Sequence, residues 1–185
     1  PEELAVISYT SGTSGFSKGV MIPYRALWSN MKFGMDHLDV LRPGADIVSI
    51  LPMAHMYGLA FEVYTEVCLG CHIHFLTRNP SPRVIGETFK TYAPVLIVAV
   101  PLVLEKIVKK SIFPLLHTAR FKVLSHIPLL RERLYSIIRQ KLEKALGGNF
   151  YEVIIGGAAF NPEVERFLRR IQFRYTVGYG MTECA

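Results

Sequence analysis

Short apolar runs of strand length alternate along the chain with longer segments in which apolar residues recur at every third or fourth position. The short runs favour buried β-strands, and the longer segments favour helices with one apolar face. Predicted strands are 4–9, 19–22, 46–51, 71–76, 95–100, 151–155 and 173–177, and predicted helices are 23–38, 55–69, 83–92, 102–110, 129–146 and 162–171. This alternation predicts an α/β fold with a mostly parallel sheet flanked by helices.

Several boundaries carry local chemical signals. Asn161 is a favourable N-cap, and Pro162 suits the first position of the helix that follows. Gly147 and Gly148 are expected to stop the preceding helix, because glycine adopts the left-handed conformation of a helix end at little cost. Segment 111–128 has the weakest pattern and is either a long loop or an irregular helical excursion.

Two of the predicted strands also allow burial to be predicted. Segment 95–100 is apolar throughout, which indicates a central strand covered on both faces. Segment 71–76 alternates, so Cys71, Ile73 and Phe75 are expected to face the core.

Composition is that of a globular protein. Of the 185 residues, 50% are apolar and 19% are charged, which excludes a disordered chain, and the length suits a single domain over 1–185. The longest charge-free apolar stretch, 93–104, is far shorter than the ~20 residues that cross a bilayer, so no transmembrane helix is predicted.

The net charge of +6 is spread over the predicted helices, where solvated faces explain it. No nucleic-acid-binding motif accompanies it, so the expected partners are small polyanions such as ATP and coenzyme A rather than nucleic acid. Three cysteines imply no disulfide framework. We therefore expect a cytoplasmic protein, with peripheral membrane contact left open.

A loop rich in hydroxyls and glycines lies between the first two predicted strands. Its candidate phosphate-binding residues are Thr10, Ser11, Gly12, Thr13, Ser14, Gly15 and Lys18. Glycines bring backbone N–H groups close to an anion, hydroxyls donate to phosphate oxygens, and the lysine adds a positive charge. The Walker A pattern fails, because Ser17 precedes the lysine and Gly19 follows it. A flexible linker is the alternative, but the flanking strand-like runs disfavour it.

Three further segments follow predicted strands: 52–58, the turn Gly156, Gly157, Ala158, and the turn Gly178, Tyr179, Gly180, Met181, Thr182, Glu183. Because ligands bind beyond the carboxyl ends of parallel strands, all four segments are expected along one edge of one sheet. Tyr179 could stack on adenine, while the backbone of the Gly156–Ala158 turn reads the base edge. Thr182 could donate to the α-phosphate, and Glu183 offers the carboxylate oxygen that Mg²⁺ prefers.

These motifs resemble those of one known superfamily. The first loop is similar to the signature T-S-G-[ST]-T-G-x-P-K-G-V of the acyl-adenylating enzymes, which include acyl-CoA synthetases, luciferases and peptide-synthetase adenylation domains. Ser14 replaces the usual threonine, and Ser17 replaces the usual proline, which loosens the turn before Lys18. The run from Leu51 to His55 resembles the family's L-P-x-x-H segment. The sequence around it is most similar to that of the long-chain fatty acyl-CoA synthetases.

The resemblance covers essentially the whole chain and implies an acid–thiol ligase. The carboxylate of a long-chain fatty acid would attack MgATP to give an acyl adenylate and pyrophosphate, and the coenzyme A thiol would then take the acyl group and release AMP. The implied catalytic residues are Lys18, His55, Thr182 and Glu183, with Glu183 as the metal ligand. The histidine would lie near the acyl carboxylate, although a helix-capping or core role is an equal alternative.

The resemblance also implies that these residues are the central part of the family's large domain. The family's N-terminal part and its C-terminal lid domain are missing, so the fragment is expected to be poorly active alone. Two other functions remain open. One is a non-catalytic nucleotide-binding or regulatory module of the same fold, and the other is a haem or zinc protein built on Cys68, Cys71 and His72.

Overall fold

The computed structural model describes residues 2–11 and 16–184, apart from the side chains of residues 111, 120, 122 and 129. The strands are β1 (Leu4–Ser11), β2 (Ser17–Pro23), β3 (Asp46–Ser49), β4 (His72–Phe75), β5 (Ile97–Ala99), β6 (Val153–Ile155) and β7 (Tyr175–Val177). The helices are α1 (Tyr24–His37), α2 (Met56–Leu59), α3 (Thr65–Cys68), α4 (Pro82–Tyr92), α5 (Pro101–Ser111), α6 (Phe113–Leu116), α7 (Ala119–Leu124), α8 (Pro128–Ala145) and α9 (Pro162–Arg170). A π-helical segment, Ala60–Tyr64, joins α2 to α3. The α/β class is confirmed, and each predicted element is present.

The strands form one antiparallel hairpin and two parallel sheets. β1 pairs with β2 in antiparallel register, β3 pairs with β4 in parallel, and β5, β6 and β7 form a parallel three-stranded sheet in that order. The prediction that all four motif segments follow strands of one sheet is therefore wrong. The loop between β1 and β2 is too short for the crossover that parallel pairing needs, so those strands close a hairpin instead.

The two parallel sheets meet at the residues that precede β5. The Val95 N–H donates to the Asp46 carbonyl at 3.0 Å, and the Tyr151 N–H donates to the Val95 carbonyl at 2.7 Å. β3 is consequently in contact with β5. The carboxyl ends of both sheets face the same side, because Tyr57, just beyond β3, contacts Gly156, just beyond β6.

Apolar side chains cover both faces of β5. On one face, Ile97 and Ala99 belong to the main core with residues of α4, α5, α8 and α9. On the other face, Val98 packs with Leu41 and Ile47 in a second cluster. The predicted burial on both faces is thus confirmed, although β5 is the first strand and not the middle one in the order β5, β6, β7. A third cluster, Ile22, Leu27 and Met56, fixes the β1–β2 hairpin against α1 and α2.

Two local predictions need correction or completion. Phe75 was expected in the core, but 51% of it is exposed, while His74 on the same strand is half-buried. In the described ladders β4 pairs only with β3, so alternation along this edge strand does not separate a core face from a solvent face. Segment 111–128 forms the short helices α6 and α7.

Helix ends follow their sequence signals. The Asn161 side chain accepts hydrogen bonds from the N–H groups of Glu163 and Val164, with Pro162 at the first helical position of α9. Gly147 and Gly148, which follow α8, both have positive φ. None of the helices in residues 2–11 and 16–184 combines the length and the apolar character needed to cross a bilayer.

We expect Gly147→Ala to destabilise the protein far more than Gly44→Ala. Both glycines have positive φ, +95° and +79°, so alanine carries a cost of roughly 1–2 kcal/mol at either position. At Gly147 the added Cβ would also lie 2.5 Å from the Phe89 carbonyl oxygen, whereas nothing lies within 4 Å at Gly44. The clash should add about 1–3 kcal/mol, measured as the difference between the two variants in urea unfolding. Equal losses of unfolding free energy in the two variants would show that Phe89 and the turn after α8 move apart at no energetic cost.

Candidate active site

The β1–β2 hairpin carries part of the loop that is predicted to bind phosphate. Thr10 lies opposite Lys18 and Ser11 lies opposite Ser17 in the β1–β2 ladder. Lys18 is exposed, as a side chain that binds an anion must be. The predicted ligands Gly12, Thr13, Ser14 and Gly15 lie outside the described residues.

The turn after β7 lies against this hairpin. Thr182–Cys184 form a 3₁₀ turn in contact with β2. Thr182 is half-buried and Glu183 is exposed. Tyr179 is 95% exposed, so its ring is available for stacking. The space beside it is open, because a Cβ added to the neighbouring Gly180 would have no atom within 4 Å. The structure therefore brings together the Lys18 strand and the turn that carries Thr182 and Glu183.

The turn after β6 is built around a tyrosine ring. The Gly156 N–H donates to the Ala99 carbonyl at 3.1 Å, and a Cβ at Gly156 would lie only 2.9 Å from the Tyr57 ring. The Tyr57 hydroxyl donates to the Ile154 carbonyl at 3.1 Å. Burial, together with the nearby Glu62 carboxylate, raises the pKa of Tyr57, so the phenol stays protonated. This contact joins segment 52–58 to the Gly156–Ala158 turn, whose second and third residues are exposed.

His55 stands at the N-cap position of α2 with its side chain exposed. Its side chain makes no capping hydrogen bond, and its backbone N–H donates to the Pro52 carbonyl at 3.0 Å. The imidazole thus neither caps α2 through a hydrogen bond nor lies in the core, and among the described residues it has no hydrogen-bond partner.

Two buried glutamates under this loop were missed in the sequence. Glu62 and Glu66 are both 0% exposed. Glu62 accepts hydrogen bonds from the Ser49 hydroxyl at 2.9 Å, the Ile50 N–H at 3.1 Å and the Leu51 N–H at 2.9 Å. Burial raises the pKa of Glu62 to about 7 despite these donors. The sequence did contain a signal for them, because two glutamates four residues apart interrupt a predicted helix that is otherwise mostly apolar.

Glu66 differs from Glu62 in its surroundings. Neither of its carboxyl oxygens has a hydrogen-bond partner among the described residues. Burial raises its pKa to about 8 against a lowering effect of its own backbone N–H, and the Glu62 charge adds a smaller increase. Glu66 is therefore largely neutral at pH 7, which is how an unpartnered buried carboxyl is tolerated.

The residues of the haem or zinc alternative have separate partners. The Cys68 thiol lies 3.4 Å from the Met31 sulfur, and the Cys71 thiol donates to the Arg42 carbonyl at 3.6 Å. His72 and His74 both approach Asp46, with distances of 3.8 and 2.7 Å to its Oδ1. Within the described part of the chain, no group of three or more such side chains could hold a metal ion. The structure gives the zinc alternative no support.

Comparison with known proteins places the chain in a family. The family model described as "AMP-binding enzyme" matches residues 1–185, and the chain belongs to that family. It is 30% identical to human Long-chain-fatty-acid--CoA ligase 1, with 100% of this chain and 28% of the relative covered. It is 27% identical to Long-chain-fatty-acid--CoA ligase 1 of Schizosaccharomyces pombe, with 99% and 30% covered. The chain thus spans about 30% of the length of these relatives.

Solved structures show the same fold. ATP-bound MatB from Rhodopseudomonas palustris superimposes with a TM-score of 0.67 at 22% identity, over 98% of this chain and 30% of that one. A malonyl-CoA ligase with methylmalonyl-CoA and AMP bound gives a TM-score of 0.63 at 23% identity, over 98% and 34%.

Proposed function

We propose that these residues belong to an ATP-dependent acid–thiol ligase that activates a long-chain fatty acid as its acyl adenylate and transfers the acyl group to coenzyme A. Family membership over the whole chain, with relatives named as long-chain-fatty-acid–CoA ligases, supports this reaction class. The observation that carries the assignment to this site is the contact between the Lys18 strand and the Thr182–Cys184 turn. The strand carries the exposed Lys18, and the turn carries a hydroxyl and a carboxylate three and four residues after the exposed Tyr179.

Each of these groups has a distinct role in the proposed reaction. Lys18 stabilises charge on the phosphates, Thr182 donates to the α-phosphate, and the exposed Tyr179 ring packs on the adenine. The backbone of Gly157 and Ala158 recognises the base edge. His55 orients the incoming carboxylate, and no covalent enzyme nucleophile is needed, so catalysis comes mainly from positioning and charge stabilisation.

Glu183 is the residue that would hold Mg²⁺. Its carboxylate is exposed, and it forms no ion pair with any residue the structure describes, so it is available to a hard cation. When bound, the ion would neutralise phosphate charge. We also propose that the 185 residues are the central part of a longer enzyme's large domain, with little activity in isolation.

The decisive experiment is carboxylate-dependent ATP–pyrophosphate exchange by the full-length protein, comparing acetate, octanoate, palmitate and an aryl acid. We expect exchange to be fastest with palmitate. A maximum with a short or aryl acid would keep the mechanism and reject the long-chain substrate. No exchange with any acid would favour the alternative of a non-catalytic nucleotide-binding module.

Glu183→Gln should slow this exchange about tenfold or more, because the amide keeps the shape of the side chain but loses the charge that holds the metal. Glu132→Gln is the matched control, since Glu132 is an exposed carboxylate on α8 that pairs with Arg131. An unchanged rate for Glu183→Gln, at saturating and at limiting Mg²⁺, would remove Glu183 from the site.

A further inference from the structure

Glu62 holds the end of β3 at the point where the strand loses its partner. The β3–β4 ladder ends at the pair Ser49 and Phe75, and the Leu76 N–H then donates to the Ser49 carbonyl at 3.1 Å. The next two N–H groups, of Ile50 and Leu51, both donate to the Glu62 carboxylate, and so does the Ser49 hydroxyl. One buried side chain thus accepts hydrogen bonds from the backbone N–H groups of the two residues beyond the ladder and from the hydroxyl of the last paired residue.

These bonds close the loop that carries His55. The loop follows the end of β3 at Ser49, turns through the hydrogen bond between His55 and Pro52, and enters α2. The π-helical segment then returns Glu62 to the start of the loop. Because a π turn adds a residue to the helical turn, it changes the direction in which the side chains that follow it point. Glu62 therefore ties both ends of segment 51–62 together.

The same loop is packed tightly on its other side. A Cβ at Gly58 would lie 2.8 Å from the Pro52 carbonyl oxygen and 3.0 Å from the Leu51 Cβ. The first turn of α2 therefore rests directly on the residues that Glu62 holds. The loop is held by the Glu62 carboxyl group and by the close approach of Gly58 to Leu51 and Pro52, while the His55 side chain stays exposed.

We infer that Glu62 is a positioning residue for acid activation, acting through the backbone of Ile50 and Leu51 to fix the segment that presents His55. The inference rests on the proposed function, in which His55 meets the carboxylate. Glu62 itself touches no substrate, since it is fully buried. Its carboxylate suits the task because it offers acceptors on both oxygens to three donors.

The test compares Glu62→Gln with Glu66→Gln in the full-length protein. Glutamine has one acceptor oxygen, and its NH₂ group would face at least one of the donors that now bind the carboxylate, so the loop should lose its anchor. We expect the kcat of palmitate-dependent exchange to fall about ten- to a hundredfold, with the KM for ATP within about twofold, because Lys18 and Thr182 lie on other elements. Glu66→Gln, which removes a neighbouring buried carboxyl without breaking those bonds, should keep kcat within about threefold of the wild-type value.

Hydrogen exchange supplies a readout that needs no activity. Amide protection of Ile50 and Leu51 should drop in Glu62→Gln and persist in Glu66→Gln. Gly58→Ala tests the loop from its other side without changing a charge, and it should reproduce the fall in kcat while the ATP KM stays the same. Unaltered protection at residues 50–51 in Glu62→Gln, or an equal fall in kcat in both glutamine variants, would overturn the inference. A wild-type protein that gives no exchange with any acid would refute the proposed function instead, and the protection data would still test the anchor.

Discussion

Replacing Glu66 with methionine is expected to raise the free energy of unfolding, and to raise it more at alkaline than at acidic pH. Glu66 is fully buried, and its oxygens have no partner among the described residues. Burial and the nearby Glu62 charge raise its pKa from 4.5 to about 8. Methionine has a similar length and no polar oxygen to leave unsatisfied.

The pH dependence follows from where the proton is held. Between pH 4.5 and about 8 the folded protein retains a proton on Glu66 that the unfolded chain has released. Stability from this group is therefore greatest below pH 4.5 and falls as the pH rises to about 8, above which the loss is complete. Near pH 9 the gain from Glu66→Met should be on the order of 3–5 kcal/mol, and near pH 5 only about 1–2 kcal/mol.

Urea unfolding of the wild-type protein and of Glu66→Met at both pH values measures this difference. Glu62→Gln is the contrasting variant, because it removes an acceptor that three donors use and should destabilise the protein. A gain from Glu66→Met that does not change with pH would show that Glu66 does not titrate in this range. A loss at both pH values would show that the carboxyl has a partner that the methionine cannot replace.

Elements of the fold could be predicted where their cause is local. Asn161 and Pro162 specify the start of α9 through groups within three residues, and Gly147 provides the positive φ that ends α8. The apolar run around Val98 indicates burial on both faces without reference to its partners. Pairing depends on distant residues, and for that reason the hairpin and the exposure of Phe75 on an edge strand were not foreseen.

In the candidate site, too, local features could be predicted from the sequence and long-range contacts could not. Glycine, hydroxyl and charged residues at short spacings made Lys18, Tyr179 and Glu183 candidates, since their pattern lies within single loops. The supporting contacts were not visible, because Glu62 reaches residues more than ten positions earlier and Tyr57 reaches Ile154 across 97 positions. Helical periodicity carries no information on such contacts. The sequence therefore predicts candidate ligand-contacting residues, but it does not predict the packing of Glu62 and Tyr57 against the loops that carry them.

The packing of Gly156 on Tyr57 leads to the second prediction of large effect, that Gly156→Ala will weaken ATP binding about ten- to a hundredfold. The new Cβ would lie 2.9 Å from one ring atom of Tyr57 and 3.2 Å from two others. The ring cannot rotate away without breaking its hydrogen bond to Ile154, so the turn that carries Gly157 and Ala158 must move instead. A displacement of about 1 Å in a binding backbone is enough for a loss of this size. The overpacking should also cost about 1–3 kcal/mol of stability.

A double-mutant cycle separates this contact from a general effect of the substitution. Tyr57→Leu removes the ring, so Gly156→Ala should cost less in that background, with a coupling of about 1–3 kcal/mol in urea unfolding. Gly86→Ala is the control, because its Cβ would meet only the Ala145 carbonyl oxygen at an ordinary 3.7 Å. Additive losses at positions 57 and 156 would mean that the turn after β6 is held by something other than the tyrosine ring. Coupled losses, together with weaker ATP binding, would show that the loop bearing His55 and the turn proposed to bind adenine are positioned by one shared contact.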